Sequence, residues 1–233
     1  MKHEVLREAV CAANKELFAF GLATLTFGKA SGLDREAGVV AIKPSGVDYG
    51  ALGPEDMVLV DVASGETLDG SYRPSSDTAT HLALYRAFAG IGGVAHTHSR
   101  FATVFAQACK SIPCLGTTHA DYFRGPVPLT RMLTRSEVLR DYEANTGLVI
   151  VEHFTEESLD PAAFPGVLVA GHGPFTWGQD VAQALLHAQV LEEVARLAYE
   201  TWNLRPDQEP IPGYLLDKHF LRKHGADAYY GQS

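Results

Sequence analysis

Cysteine and long hydrophobic runs are scarce in this chain. The three cysteines are an odd number and none forms a CxxC pair, so neither a disulfide framework nor a zinc ribbon is indicated. No apolar run approaches the roughly 18 residues of a membrane-spanning helix. The charged start, Met1–Glu4, lacks the apolar core of a signal peptide. We therefore expect a reduced, cytoplasmic protein with no membrane partner.

Positive charge is also in short supply. Lysine and arginine total 19 against 28 aspartate and glutamate residues, for a formal charge of −9. This balance argues against a nucleic-acid partner and means that an anionic substrate would need a local cation. The 233 residues, 46% of them hydrophobic, show no repeat and no linker rich in proline, glycine or serine. We expect one domain over 1–233 with a sizeable core.

Two predicted strands end in histidines. The stretch 93–99 is an apolar run that closes with His96 and His98, and the run 166–171 leads to His172, where Gly173-Pro174 is expected to stop the strand. Side chains at positions i and i+2 of a strand share one face. His96 and His98 alone are better explained as an ordinary pair of polar residues at a strand end. Three histidines at two strand ends favour a divalent metal with an open coordination position.

Hydrophobic spacing predicts the other elements. Apolar residues at intervals of three and four indicate helices at 3–20, 81–88, 100–109 and 179–202. Short apolar runs indicate strands at 22–33, 38–43, 57–62, 66–69 and 148–151.

Two short polar segments are candidate anion sites. Ser45 and Gly46 follow Lys43 in a turn that could cradle a phosphate, although a purely structural turn is the favoured interpretation of this motif alone. The segment 75–77 (Ser-Ser-Asp) precedes a helix, where it could either cap the helix or bind an anion. Asp77 could also reach the metal.

The segment 116–123 is rich in titratable side chains. Asp121 is a candidate acid/base group, whereas His119 alone is better explained as a core or surface residue. The tail, 204–233, ends in basic and aromatic residues, and we expect it to dock on another surface, such as a neighbouring subunit.

Several motifs, in order along nearly the whole chain, resemble the class II aldolase/epimerase family. They are Leu-Thr-Phe-Gly (25–28), Ile-Lys-Pro-Ser-Gly-Val-Asp-Tyr (42–49), Pro-Ser-Ser-Asp-Thr (74–78), His-Thr-His-Ser (96–99), Gly-Thr-Thr-His-Ala-Asp-Tyr (116–122), His-Gly-Pro-Phe (172–175) and the closing Ala-Tyr-Tyr-Gly-Gln. The resemblance implies an α/β fold: a single three-layer α/β/α domain around a mostly antiparallel sheet. It also implies a fourfold-symmetric homotetramer with active sites between adjacent subunits.

The resemblance also implies site residues and an activity. One Zn²⁺ per subunit, or another divalent metal, would be held by Asp77, His96, His98 and His172. A phosphorylated pentulose would be held by Gly28, Lys29, Lys43, Ser45, Gly46, Ser75 and Ser76. Asp121, with Tyr230 of a neighbouring subunit, would form the acid/base pair. The implied reaction interconverts L-ribulose 5-phosphate and D-xylulose 5-phosphate by cleaving and re-forming a C–C bond.

Lys29 departs from the family pattern, which has asparagine at this position. This cation could alter phosphate binding, the position of the intermediate or the choice of substrate. The alternatives are an epimerase or aldolase for a related sugar phosphate, a non-catalytic module that binds metal or sugar phosphate, and purely structural histidines.

Overall fold

A seven-stranded antiparallel sheet forms the centre of the computed structural model, which describes residues 1–230. The strand order is β4-β3-β2-β1-β5-β7-β6. The strands are β1 Gly28–Asp34, β2 Val39–Ile42, β3 Val58–Asp61, β4 Thr67–Asp69, β5 Gly93–Thr97, β6 Gly166–Val169 and β7 Gly173–Gly178. The last two residues of the closing motif, 231 and 232, lie outside the described residues.

Helices cover both faces of this sheet. They are α1 Glu4–Ala19, α2 Thr78–Ala87, α3 Arg100–Gln107, α4 Thr117–Ala120, α5 Arg135–Glu156, α6 Val181–Leu204 and α7 Gly213–His224, with 3₁₀ turns at Tyr49–Ala51 and Pro54–Asp56. Within residues 1–230, none of these helices combines the length and apolar character needed to cross a bilayer.

The burial of β2 shows how the three layers are held together. All four of its side chains are buried, and they alternate between faces as strand geometry requires. Val39 and Ala41 pack with α1 and α6, whereas Val40 and Ile42 pack with α2 and α5. Helices on both sides of a buried antiparallel sheet confirm the predicted α/β/α fold.

The strand predicted at 148–151 is wrong, since these residues lie within α5. A four-residue apolar run does not distinguish a strand from one side of a helix. The helix begins with a capping box in which Thr134 and Glu137 bind each other's backbone N–H groups. Leu148 is 57% exposed while Val149 and Ile150 are buried, as on a helix that rests one side on the sheet.

Two other strand boundaries differ from the prediction. Residues 22–27 form no named strand, and β1 begins only at Gly28. Gly173-Pro174 does not end the local sheet structure but begins β7, which turns back between β5 and β6. This turn brings His172 over the end of β5, because His96 lies opposite Phe175 in the β5–β7 register.

A glycine lets α6 approach the centre of the sheet. A Cβ on Gly93 would lie 2.2 Å from the Asp180 carbonyl oxygen and 2.4 Å from the Val181 nitrogen. The first turn of α6 therefore rests directly on the start of β5. This contact fixes the strand that carries His96.

Candidate metal centre and active site

Three histidine side chains converge at one end of the sheet. His96 ends β5, His98 follows it, and His172 lies in the β6–β7 turn. One ligand nitrogen from each lies within 4.8 Å of the others, and the His96 and His98 Nε2 atoms are 3.2 Å apart. The structure thus brings together the three histidines that the sequence singled out.

Neighbouring groups determine which nitrogen of each ring faces the cluster. His96 Nδ1 lies 2.9 Å from the Pro174 carbonyl oxygen, so Nδ1 carries the proton and Nε2 is a free acceptor. His172 Nδ1 lies 3.3 Å from the Tyr142 hydroxyl. The ring of Phe175 stacks on His96 with centroids 4.0 Å apart. These contacts orient His96 and His172 toward a shared point.

Tyr142 is a site residue that the sequence interpretation missed. It lies in α5, directly after Asp141, whose backbone is non-helical and kinks the helix. It is 30 residues from His172, and no local pattern marks it. Only the packing of α5 against the sheet brings its hydroxyl to the metal centre.

All three histidines are held neutral. Burial lowers the pKa of His172 to about 4 and the pKa of His96 well below its usual value. Partial desolvation lowers the pKa of His98 as well, although this residue is exposed, and the nearby Lys29 ammonium acts in the same direction on all three. Neutral imidazoles are the form that binds metal.

This donor set fits a divalent metal ion. Each of the three histidines offers one imidazole nitrogen to the cluster. The His96 side chain is fully buried, whereas His98 is exposed. Three protein nitrogens with one side open to solvent suit an ion that keeps a coordination position for substrate. Imidazole ligands are compatible with zinc and with several other transition metals.

Asp77 lies beside the triad but is engaged by a lysine. Its Oδ2 is 4.0 Å from His96 Nε2 and forms an ion pair with Lys29 Nζ. Burial alone would raise the pKa of Asp77, but Lys29 keeps it below its ordinary value. The structure therefore places both predicted residues beside the three histidines, paired with each other.

The candidate phosphate-binding residues come from two segments that pair with each other. Ser45 N donates to the Arg73 carbonyl oxygen and Ser75 N to the Lys43 carbonyl oxygen. Ser45, Gly46 and Ser76 are exposed, and Gly46 has a φ of +70° with open space where a Cβ would lie. Gly28, at the start of β1, has a φ of +135° and lies opposite Thr97 of β5.

Lys43 is buried beneath this turn rather than presented on it. Its ammonium donates to the carbonyl oxygens of Val47 at 2.6 Å and Pro44 at 3.3 Å, and lies 4.7 Å from the Tyr49 ring centroid. Burial, with Lys29 nearby, lowers its pKa to about 8. Lys43 therefore stabilises the turn from its buried side, through these two carbonyl oxygens.

Asp121 is held by the C-terminal helix of its own chain. Its carboxylate accepts hydrogen bonds from Arg222 at 2.7 and 3.0 Å and from His219 at 3.0 Å, and its carbonyl oxygen lies 2.9 Å from His224 Nε2. Burial opposes ionisation, but Arg222 and His219 hold the Asp121 pKa below its usual value. The basic tail thus docks on the segment that contains Asp121.

Tyr230 joins the same cluster and is 58% exposed. The Arg222 guanidinium lies 4.6 Å from the centroid of its ring, and Lys223 lies equally close. Within residues 1–230 no hydrogen bond, ion pair or ring contact directly joins Asp121 or Tyr230 to the three histidines. One chain therefore contains two separate groups of site residues.

The chain is similar in sequence to characterised proteins along nearly its full length. Residues 8–199 match the family "Class II Aldolase and Adducin N-terminal domain". The chain is 53% identical over 227 residues to L-ribulose-5-phosphate 4-epimerase UlaF of Salmonella paratyphi A, covering 97% of this chain and 98% of that protein. Identity to the protein of the same name from Salmonella choleraesuis is 52%, with the same coverage.

Solved structures of similar fold agree with this match. An L-fuculose 1-phosphate aldolase has a TM-score of 0.78 at 23% identity, covering 92% of this chain and 94% of that one. The L-fuculose-1-phosphate aldolase from Thermus thermophilus has a TM-score of 0.66 at 25% identity, covering 85% and 97%. At 23% identity, the similarity to the first of these two aldolases concerns the fold alone.

Proposed function

Because the chain belongs to the class II aldolase and adducin N-terminal domain family, we propose that it is a metal-dependent epimerase that interconverts L-ribulose 5-phosphate and D-xylulose 5-phosphate. The observation that carries the proposal is the cluster of three neutral imidazoles, in a chain that matches proteins of this activity from end to end. Zinc is the metal that we propose, since three nitrogen ligands with an open position are typical of catalytic zinc sites.

Inversion at C4 of a 2-pentulose determines which groups the site needs. The C4 hydrogen is not acidic, so simple deprotonation cannot invert this carbon. We propose that the reaction breaks and re-forms the C3–C4 bond. A bound divalent ion supplies Lewis-acid stabilisation of negative charge on the substrate oxygens. The chain itself must remove a proton from the C4 hydroxyl on one face, allow the aldehyde fragment to rotate and return a proton on the other face.

Asp121 and Tyr230 are the acid/base pair that we propose. The paired Asp121 is ionised and can accept a proton, and the exposed Tyr230 hydroxyl is a group that can donate one. Their separation from the histidines within one chain supports an active site completed by a neighbouring subunit. We therefore propose a homotetramer in which one chain supplies the metal ligands and its neighbour contributes to the acid/base pair.

An exposed apolar surface beside the triad is consistent with such an interface. Leu25 and Phe27 are 66% and 53% exposed, and the Phe27 ring lies 6.3 Å from that of His98. Large exposed apolar side chains next to a site are typical of a protein contact surface.

The phosphate is proposed to bind at the paired turns. The hydroxyls of Ser45 and Ser76 and the backbone N–H groups of Gly46 and Ser76 lie at exposed positions, and Ser75 lies just before the start of α2. Donors at the positive end of a helix suit a phosphate. Anchoring the phosphate keeps the aldehyde fragment in place between cleavage and re-addition.

A coupled assay tests the proposed reaction directly. Zinc-loaded protein is incubated with L-ribulose 5-phosphate and the formation of D-xylulose 5-phosphate is followed. Pentulose phosphate as the sole product supports the epimerase. Accumulation of separate aldehyde and ketone fragments would instead indicate an aldolase, and metal binding without turnover would indicate a binding module.

A further inference from the structure

Lys29 reaches the metal centre because of its place in the sheet. It lies directly opposite His96 in the β1–β5 register, and cross-strand partners project from the same face. Its side chain is 13% exposed and that of its partner Asp77 is 11% exposed. The ion pair is therefore largely shielded from water, immediately beside the three imidazoles.

The Asp77 carboxylate does not cap the helix that follows it. Asp77 precedes α2, but its side chain makes no capping hydrogen bond. Among residues 1–230, Lys29 is the one group that donates a hydrogen bond to this carboxylate. The carboxylate is thus oriented by a residue of β1 and not by the local helix geometry.

We infer that Lys29 keeps Asp77 as its counter-ion when the metal is bound, so that the ion is held by His96, His98 and His172 without a bond to Asp77. This inference rests on the metal centre of the proposed function. It changes the ligand set that the family resemblance implies.

Charge balance supports the retained pair. Lys29 and Asp77 form an ion pair and together contribute no net charge. If Asp77 turned to the metal, a largely buried ammonium would lose its partner and face a divalent cation. An unpaired buried charge and a like-charge contact are both unfavourable, and both are avoided when the ion pair remains intact.

The consequence for chemistry lies in the charge left on the ion. With no carboxylate bonded to it, the metal keeps its full double positive charge toward anionic substrate oxygens. Lysine also has three N–H donors, of which Asp77 uses one. By forming the ion pair with Asp77, Lys29 acts as a positioning residue that keeps this carboxylate away from the metal.

Metal dissociation constants of four proteins test the inference. They are the parent chain, Lys29→Met, Asp77→Asn and the double variant, measured by competition with a chromophoric chelator for Zn²⁺. Removing Lys29 frees a carboxylate to attract the cation beside it, so Lys29→Met should bind zinc at least about tenfold tighter. Asp77→Asn leaves an unpaired ammonium and should bind at least about tenfold more weakly. The double variant has lost both charges and should bind within about threefold of the parent.

Two results would overturn the inference while leaving the metal centre in place. One is a double variant that binds zinc more than about threefold more weakly than the parent, which would mean that Asp77 is a ligand. The other is an unchanged affinity of Lys29→Met. Failure of all four proteins to bind zinc would overturn the proposed metal centre as well.

A matched control and a direct structural measurement complete the design. Lys110→Met removes a lysine charge that lies next to Trp202 and should leave zinc affinity unchanged. Lys29→Asn replaces Lys29→Met if the latter does not fold.

In zinc-loaded crystals of the parent chain, the Asp77 oxygens should lie beyond the roughly 2.0–2.2 Å of a zinc–carboxylate bond, and a bonded Asp77 would refute the inference.

Discussion

The metal affinity of this protein should resist acid far better than that of an ordinary three-histidine site. Protons compete with metal for imidazole nitrogens, so affinity falls once the pH drops below the histidine pKa values. The usual histidine pKa is 6.5, and burial lowers the pKa of His172 to about 4. A lowered pKa keeps the imidazole neutral to lower pH, so the proton becomes a weaker competitor.

The size of the effect follows from these values. At pH 5.5, each histidine with a pKa of 6.5 would weaken metal binding about elevenfold, so three such residues would weaken it about a thousandfold. His172, with a pKa of about 4, is almost entirely neutral at that pH. The pKa of His96 is also well below 6.5, and His98, lowered by burial, can contribute at most about tenfold. We therefore expect a total loss between pH 8 and pH 5.5 that is far smaller than the about thousandfold loss of an unperturbed three-histidine site.

The assay is a zinc competition titration at pH 8 and pH 5.5 against a chelator whose own protonation is known. Circular dichroism at each pH verifies that the protein remains folded. A loss of affinity near a thousandfold in the folded protein would show that the histidines titrate normally. Such a result would refute the argument that burial holds them neutral.

Three further variants test separate parts of the structure. His98→Asn should abolish metal retention and activity, and full activity of the metal-free variant would exclude the proposed metal role. Tyr230→Phe should leave the metal content unchanged and lower turnover strongly, whereas an unaltered rate would remove Tyr230 from the acid/base pair. Gly93→Ala should cost about 3 kcal/mol of unfolding free energy in urea, because its Cβ would overlap the α6 backbone. Gly90→Ala, where a Cβ meets nothing within 4 Å, is the matched control and should change stability little.

Much of the fold could be predicted from the sequence because its signals are local. The periodicity of α1 and α6 and the short apolar runs of β2 and β3 identified these elements within about two residues. The prediction of secondary structure failed where one local pattern is compatible with both a strand and a helix. The apolar run at 148–151 fits a strand or one side of a helix, and only packing against the sheet placed it in α5.

The candidate site divides in the same way. The proximity of His96 and His98 could be expected from their i, i+2 spacing at a strand end. The contacts of Tyr142 with His172 and of Arg222 with Asp121 join residues 30 and 101 positions apart. Spacing along the chain carries no information about contacts over such distances.

The sequence by itself determined which chemical groups are present: the histidines, the polar turns and a basic tail. Residue types and short-range spacing are encoded directly in the chain. Only the tertiary structure decided how these groups are paired. It placed Lys29 on Asp77, because β1 lies beside β5, and it directed the tail to Asp121, because α7 packs on α4. Strand order and helix docking depend on burial summed over the whole domain, and this sum is not visible in any single segment.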